Sequence, residues 1–88
     1  MRYKIRHAKR FLKLSLKLPK QYRKLLASMF ELLQKQPFDS RLHSKTLTGK
    51  LKGLYSFRIT RSYRVIFHFN SPTEIELIDI AHRKDIYR

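Results

Sequence analysis

From Gln21 to Gln36, apolar side chains return every three or four residues: Tyr22, Leu25, Leu26, Met29, Phe30, Leu32 and Leu33. Arg23, Lys24, Ser28, Glu31 and Lys35 take the other side. That spacing predicts an amphipathic helix whose apolar stripe needs a sheet or a second helix over it. Pro19 can serve as its first residue, and Pro37 stops it. Three later stretches alternate at period two and read as strands: Tyr55 to Thr60, Tyr63 to Phe69, and Ile75 to Ile80. Arg2 to Arg6 alternates Tyr3 and Ile5 with basic residues, which suits a short first strand. Ala8 to Leu18 fits two patterns. Leu12, Leu14, Leu16 and Leu18 alternate as in a half-buried strand, whereas Ala8, Phe11, Leu12, Ser15 and Leu18 share one helical face.

Pro37 to Leu54 reads as a basic connector. Its two glycines, Gly49 and Gly53, lack the spacing and the Lys-Ser/Thr ending of a phosphate loop and read as turn residues. Lys45, Lys50 and Lys52 are expected to be exposed around them. With residues 8–18 taken as a second helix, the element order is β-α-α-β-β-β. It predicts a small α+β domain spanning residues 1–88, an antiparallel sheet with two helices packed on one face.

The strand faces make a sharper expectation. Tyr55, Phe57 and Ile59 should face the core, with Ser56 and Arg58 on the open side. Tyr63, Val65, Phe67 and Phe69 should do the same, leaving Arg64, Ile66 and His68 open. A three-residue turn, Thr60-Arg61-Ser62, keeps both sets in phase, and it places Arg58 directly across from Arg64. Like charges so placed are unfavourable unless an anion sits between them, and the arginine fork matches two phosphate oxygens. The third strand has Ile75 and Leu77 on one face but Ile78 and Ile80 on the other. It is therefore either buried on both sides or bulged. Its exit is expected to deliver His82 and Arg83 to the face of Arg58 and Arg64. Those side chains on opposite faces would remove that centre.

Charge narrows the chemistry. Twenty-one Lys and Arg stand against six Asp and Glu, a formal net charge of +15. So basic a fold calls for a polyanion or an acidic protein as partner. No cysteine is present, which removes disulfides, thiol chemistry and cysteine-based zinc sites and fits a cytoplasmic setting. No stretch has the length of a membrane span or a signal peptide, so no membrane partner is expected. Carboxylates are scarce, and no histidine pair has metal-ligand spacing. The expectation is therefore no metal and no cofactor, and neither paired-carboxylate hydrolysis nor nucleotide–magnesium chemistry. What remains is acid–base work by histidine and tyrosine, with arginine supplying charge to a pentacoordinate phosphate transition state.

At Leu47-Thr-Gly-Lys-Leu-Lys-Gly-Leu-Tyr-Ser-Phe-Arg-Ile, Tyr63-Arg-Val-Ile-Phe and His82-Arg-Lys-Asp-Ile-Tyr, the chain resembles the RelE/ParE superfamily of bacterial and archaeal type II toxins. The resemblance runs along essentially the whole chain, and it implies that residues 8–18 are helical. For RelE-like members it implies metal-free cleavage of mRNA, typically on the ribosome, by attack of a ribose 2′-hydroxyl on the adjacent phosphate. It carries catalytic roles to Arg64 and Arg83 as phosphate or leaving-group ligands and to Arg58 as a basic residue of the second strand. His82 would be the general base or acid, and Tyr87 a residue that orients or stacks on the nucleotide. Lys45, Lys50, Lys52, Arg61, Lys84 and Arg88 would extend the RNA-binding surface. Ser56 departs from the pattern, standing where some ribonuclease members carry lysine. The resemblance also implies a cognate antitoxin, acidic or amphipathic and encoded next door.

Two other readings compete. ParE-like members poison DNA gyrase without cutting RNA, although His82 with Tyr87 favours the ribonuclease. A catalytically weak basic module that binds RNA or the ribosome is the third reading.

Overall fold

One sheet of five strands, ordered β1-β5-β4-β3-β2, organises the chain. The computed structural model describes residues 2–86. Tyr87 and Arg88, both expected in the site, lie outside the described residues. The strands are β1 (Lys4–His7), β2 (Lys45–Thr46), β3 (Tyr55–Arg58), β4 (Tyr63–Ser71) and β5 (Glu74–His82). Helices α1 (Lys9–Leu16) and α2 (Lys20–Lys35) follow β1, and a short α3 (Arg83–Ile86) follows β5. The α+β class and the two-helix order are as expected.

The ambiguous segment is helical. Phe11 is buried and Leu14 half-buried, whereas Leu12 and Leu16 are 46% and 72% exposed. A strand would have put all four leucines on one sheltered face; the helical period leaves two of them in water. Pro19 closes the junction, its carbonyl accepting from the Tyr22 and Arg23 amides (2.9 and 3.1 Å). In α2, Leu26 and Leu33 reach the core, and Leu25 falls off the stripe.

Two features depart from the expected meander. First, the sheet is mixed rather than purely antiparallel. β1 runs parallel to β5, with Lys4 beside Glu74 and Arg6 beside Glu76, so basic residues lie against two of the six carboxylates. Local periodicity carries no information about a pairing between such distant segments. Second, the face expected to be open is covered. Leu47, Ile66 and Ile86 are buried together, with Leu51, Leu54, Ile78 and Ala81 packed around them. The connector between β2 and β3 and the returning helix α3 form this cover.

β5 serves both layers through a bulge. Ile66 partners Asp79 while Phe67 partners Leu77, so Ile78 is the extra residue. It packs in the second cluster, and the phase change returns Ile80 to the face of Ile75 and Leu77. That face holds the main core, with Phe11, Leu26, Leu33, Phe57, Val65 and Phe67.

Candidate functional site

The turn that joins β3 to β4 is the expected one. Amides of Ser62 and Tyr63 both donate to Thr60 Oγ1 at 3.2 Å, and the Ile59 and Thr60 amides donate to the Tyr63 carbonyl. Arg58 accordingly lies opposite Arg64, and Phe57 opposite Val65.

The side chains do something else. Arg64 is only 4% exposed. Its Nε donates to Ser56 Oγ at 2.7 Å, and its Nη2 donates to the Ser56 carbonyl and to the His43 carbonyl. A guanidinium taken out of water must find acceptors. Here they come from β3 and from His43, which holds a left-handed conformation at φ 50°. The apolar cover over this face is what dries the site. Arg64 is thus not one arm of an open anion clamp, and the expectation of a phosphate held between Arg58 and Arg64 is corrected. Ser56, a departure in sequence, is fully buried and is the acceptor that Arg64 needs.

Upstream, Asp39 fixes the turn that presents His43. Its carboxylate accepts from Arg41 Nε (3.0 Å), Nη2 (3.0 Å) and backbone amide (2.9 Å). Bonding to the Arg41 side chain, and then to its amide, holds the Asp39 carboxyl at about 2, against an ordinary 3.8.

His82 does not join Arg58 and Arg64. In register it partners Tyr63, so the two share the helix-covered face, whereas Arg64 partners Ala81 on the other. The expected convergence of Arg58, Arg64 and His82 is not formed, because the bulge fixes which residues of β5 face which layer. The His82 ring meets Tyr63 edge-on, with centroids 5.3 Å apart. Its Nδ1 accepts the Lys84 amide at 3.2 Å. A neutral ring with Nδ1 so engaged carries its hydrogen on Nε2 and presents it as a donor.

What the fold does bring together is a cationic sheet end. Arg83 donates its amide to the Ser62 carbonyl (2.8 Å), extending the β4–β5 pairing by one residue. The strand alternation then returns Arg83 to the Arg58 face. Arg61, Arg83 and Lys84 are exposed and Arg58 is half-buried. Among the described residues, none of the four forms an ion pair. Five of the six carboxylates are engaged elsewhere, by Arg2 and Lys35, Arg41, Asn70, His68 and Arg10. Asp85 alone lies at this end. Lys45, Lys50 and Lys52 are exposed but sit apart, on the connector. Lys50 borders a cleft of about 720 Å³ between that connector and α3.

Residues 3–87 match the family described as the ParE toxin of the type II toxin–antitoxin system parDE. The chain is a type II toxin of the RelE/ParE superfamily. The toxin superposes on the RelBE2 toxin–antitoxin complex of Mycobacterium tuberculosis with a TM-score of 0.78 at 22% identity, covering 94% of this chain and all of that one. It resembles the archaeal RelE–RelB complex of Pyrococcus horikoshii OT3 equally in fold (TM-score 0.78), at 25% identity over 94% of this chain and 97% of the other. The RelB–RelE complex of Methanococcus jannaschii follows with a TM-score of 0.73 at 26% identity, over 93% and 94%. No protein of curated function matches the toxin by sequence. None of its described helices is long and apolar enough to cross a membrane.

Tyr63, which meets the His82 ring, and Tyr22, which meets Tyr63, were legible in sequence only as core aromatics. Ser56 was legible only as a departure. The signal for the covered second face was present in Leu47, Leu51, Leu54, Ile66 and Ile78, all apolar at positions that a turn or an open face does not require.

Proposed function

We propose that this toxin is a metal-independent endoribonuclease that cleaves mRNA, on the ribosome, through attack of a ribose 2′-hydroxyl on the adjacent phosphate. The observation that carries the reading is the sheet end itself, where Arg58, Arg61, Arg83 and Lys84 form no ion pair with a described residue and the oriented imidazole of His82 stands across the strand end, on the opposite face from Arg58. Arg58 and Arg83 would take the non-bridging phosphate oxygens, whose charge grows as the fifth bond to phosphorus forms. His82 Nε2–H is a hydrogen-bond donor in the described arrangement. For Nε2 to take the 2′ proton instead, the ring must hold its hydrogen on Nδ1, which requires the Lys84 amide to move away. The products would be a 2′,3′-cyclic phosphate and a 5′-hydroxyl, the proton of the first oxygen being balanced by one delivered to the second. Arg64 acts as a positioning residue that ties β3, β4 and the connector beneath Arg58. Tyr87 is assigned to the nucleotide by the superfamily resemblance alone. A cognate antitoxin, supported by the RelB partners of similar toxins, would cover the same basic surface.

A translation extract with end-labelled mRNA tests this. Discrete cuts are expected, and Arg83→Ala or Arg58→Ala should slow them about 10²–10³-fold, as loss of one charge-stabilising donor does elsewhere. The engagement of Arg64 by Ser56 favours a second reading, a gyrase poison that has no need of a phosphate clamp. Intact mRNA together with gyrase-dependent DNA breaks on expression would establish it and overturn the first.

A further inference from the structure

Beside the sheet end, the α1–α2 junction and the start of β4 leave a cleft of about 390 Å³, within the roughly 300–1,000 Å³ of small-ligand sites. Pro19 turns the chain there, so the two helices part above the end of the sheet. Leu14, Leu18 and Ile80 form an apolar floor, Tyr22 and Tyr63 form walls, and Lys17 stands at the rim. The Tyr22 and Tyr63 rings are 6.5 Å apart at 49°, and Tyr63 in turn meets His82. Three rings thus run in a row from the cleft to the imidazole. Neither tyrosine hydroxyl is bonded to a described residue, and both rings are half-buried, neither sealed in the core nor free in water.

We propose that this cleft is a subsite for one nucleobase of single-stranded RNA, next to the phosphate handled at the sheet end. The inference rests on the ribonuclease reading and adds a specificity element to it. A base offers a flat apolar face with a charged backbone close behind. The cleft offers aromatic walls, an apolar floor and cations on one side only: Lys17, with Lys13 one turn earlier on α1, neither ion-paired to a described residue. Unstacked bases bind proteins by such stacking, with cations tracking the phosphates. Tyr63 is shared by the cleft and by the His82 contact, so a base seated against it would lie next to His82.

Two measurements on the full chain test the subsite. In the first, ring-labelled tyrosine signals, assigned with single Tyr→Phe variants, are followed by NMR during titration with AMP, GMP, CMP, UMP or ribose 5-phosphate. Tyr22 and Tyr63 should shift with at least one nucleotide and stay put with the sugar phosphate. In the second, Tyr22→Ala and the exposed Lys17→Glu are compared in the mRNA cleavage assay. Tyr22→Ala should raise KM about tenfold, as loss of one stacked base does, and change the base preferred at one position beside the cut. Tyr22→Phe should restore both, and Lys17→Glu should raise KM without changing base preference. Rings that ignore all four nucleotides overturn the proposal, as does a folded Tyr22→Ala protein with the parental KM and cutting pattern. If the parent cuts no mRNA, the ribonuclease reading fails, while the titration still reports on the cleft.

Discussion

The two faces of the sheet are built differently. One is packed by α1 and α2 and filled with large side chains, Phe57 and Phe67 at its centre, both fully buried. The other is covered only by the connector and by the four-residue α3, and at its heart lies a guanidinium. The first face holds the fold together through apolar area and close packing, which is non-directional and needs no particular partner. The second holds it through directed bonds, each with one acceptor in one place. That contrast fits basic residues at the sheet end that form no ion pair with a described residue. The first face carries the stability, so the second is free to hold a geometry.

The difference can be broken from either side. Phe67→Ala should be the most damaging, at about 3–5 kcal/mol for an unfilled aromatic site, much of the stability of so small a fold. Urea unfolding followed by circular dichroism would show it. Arg64→Met should cost about 2 kcal/mol, because it leaves the buried Ser56 hydroxyl and the His43 carbonyl without their donor. Arg64→Lys should not rescue it, since one ammonium cannot reach both acceptors. Ser56→Ala should cost about 1 kcal/mol, and the Ser56→Ala, Arg64→Met double variant should be no worse than Arg64→Met alone, the mark of a shared interaction. The smallest effect belongs to Asp39. Its carboxyl is depressed in the folded state, so the stability it contributes is complete above 3.8 and lost as pH falls towards about 2. Asp39→Asn should flatten that acid limb in unfolding titrations and leave neutral stability almost unchanged.

Sequence made the local features readable. The α2 stripe and the Thr60-Arg61-Ser62 turn with its register followed from spacing alone, because both are set by neighbours in the chain. Residues 8–18 needed more, since a leucine at every second position satisfied strand and helix equally until Leu12 and Leu16 were seen in water. The parallel β1–β5 pairing was hidden because nothing near Lys4 refers to Glu74. The proposed site was harder. Spacing pointed to Arg58, Arg83 and the basic turn, but alternation alone had treated the second face as open. Arg64 was therefore given to a ligand and not to Ser56. His82 was placed on the wrong face because the strand carried a choice, continuous burial or a bulge, that pattern could not resolve.

The bulge at Ile78 also sets the spacing between sites. It works as a frame shift within a single strand: upstream of it, odd-numbered residues Ile75 and Leu77 look towards the helices, and downstream even-numbered Ile80 and His82 do. Removing one residue there would exchange the roles of His82 and Arg83, sending the imidazole under α3 and the guanidinium towards Tyr63. The tail is therefore legible to the protein only in combination with a residue four positions before His82, and the same His82-Arg83 pair on an unbulged strand would be presented inside out.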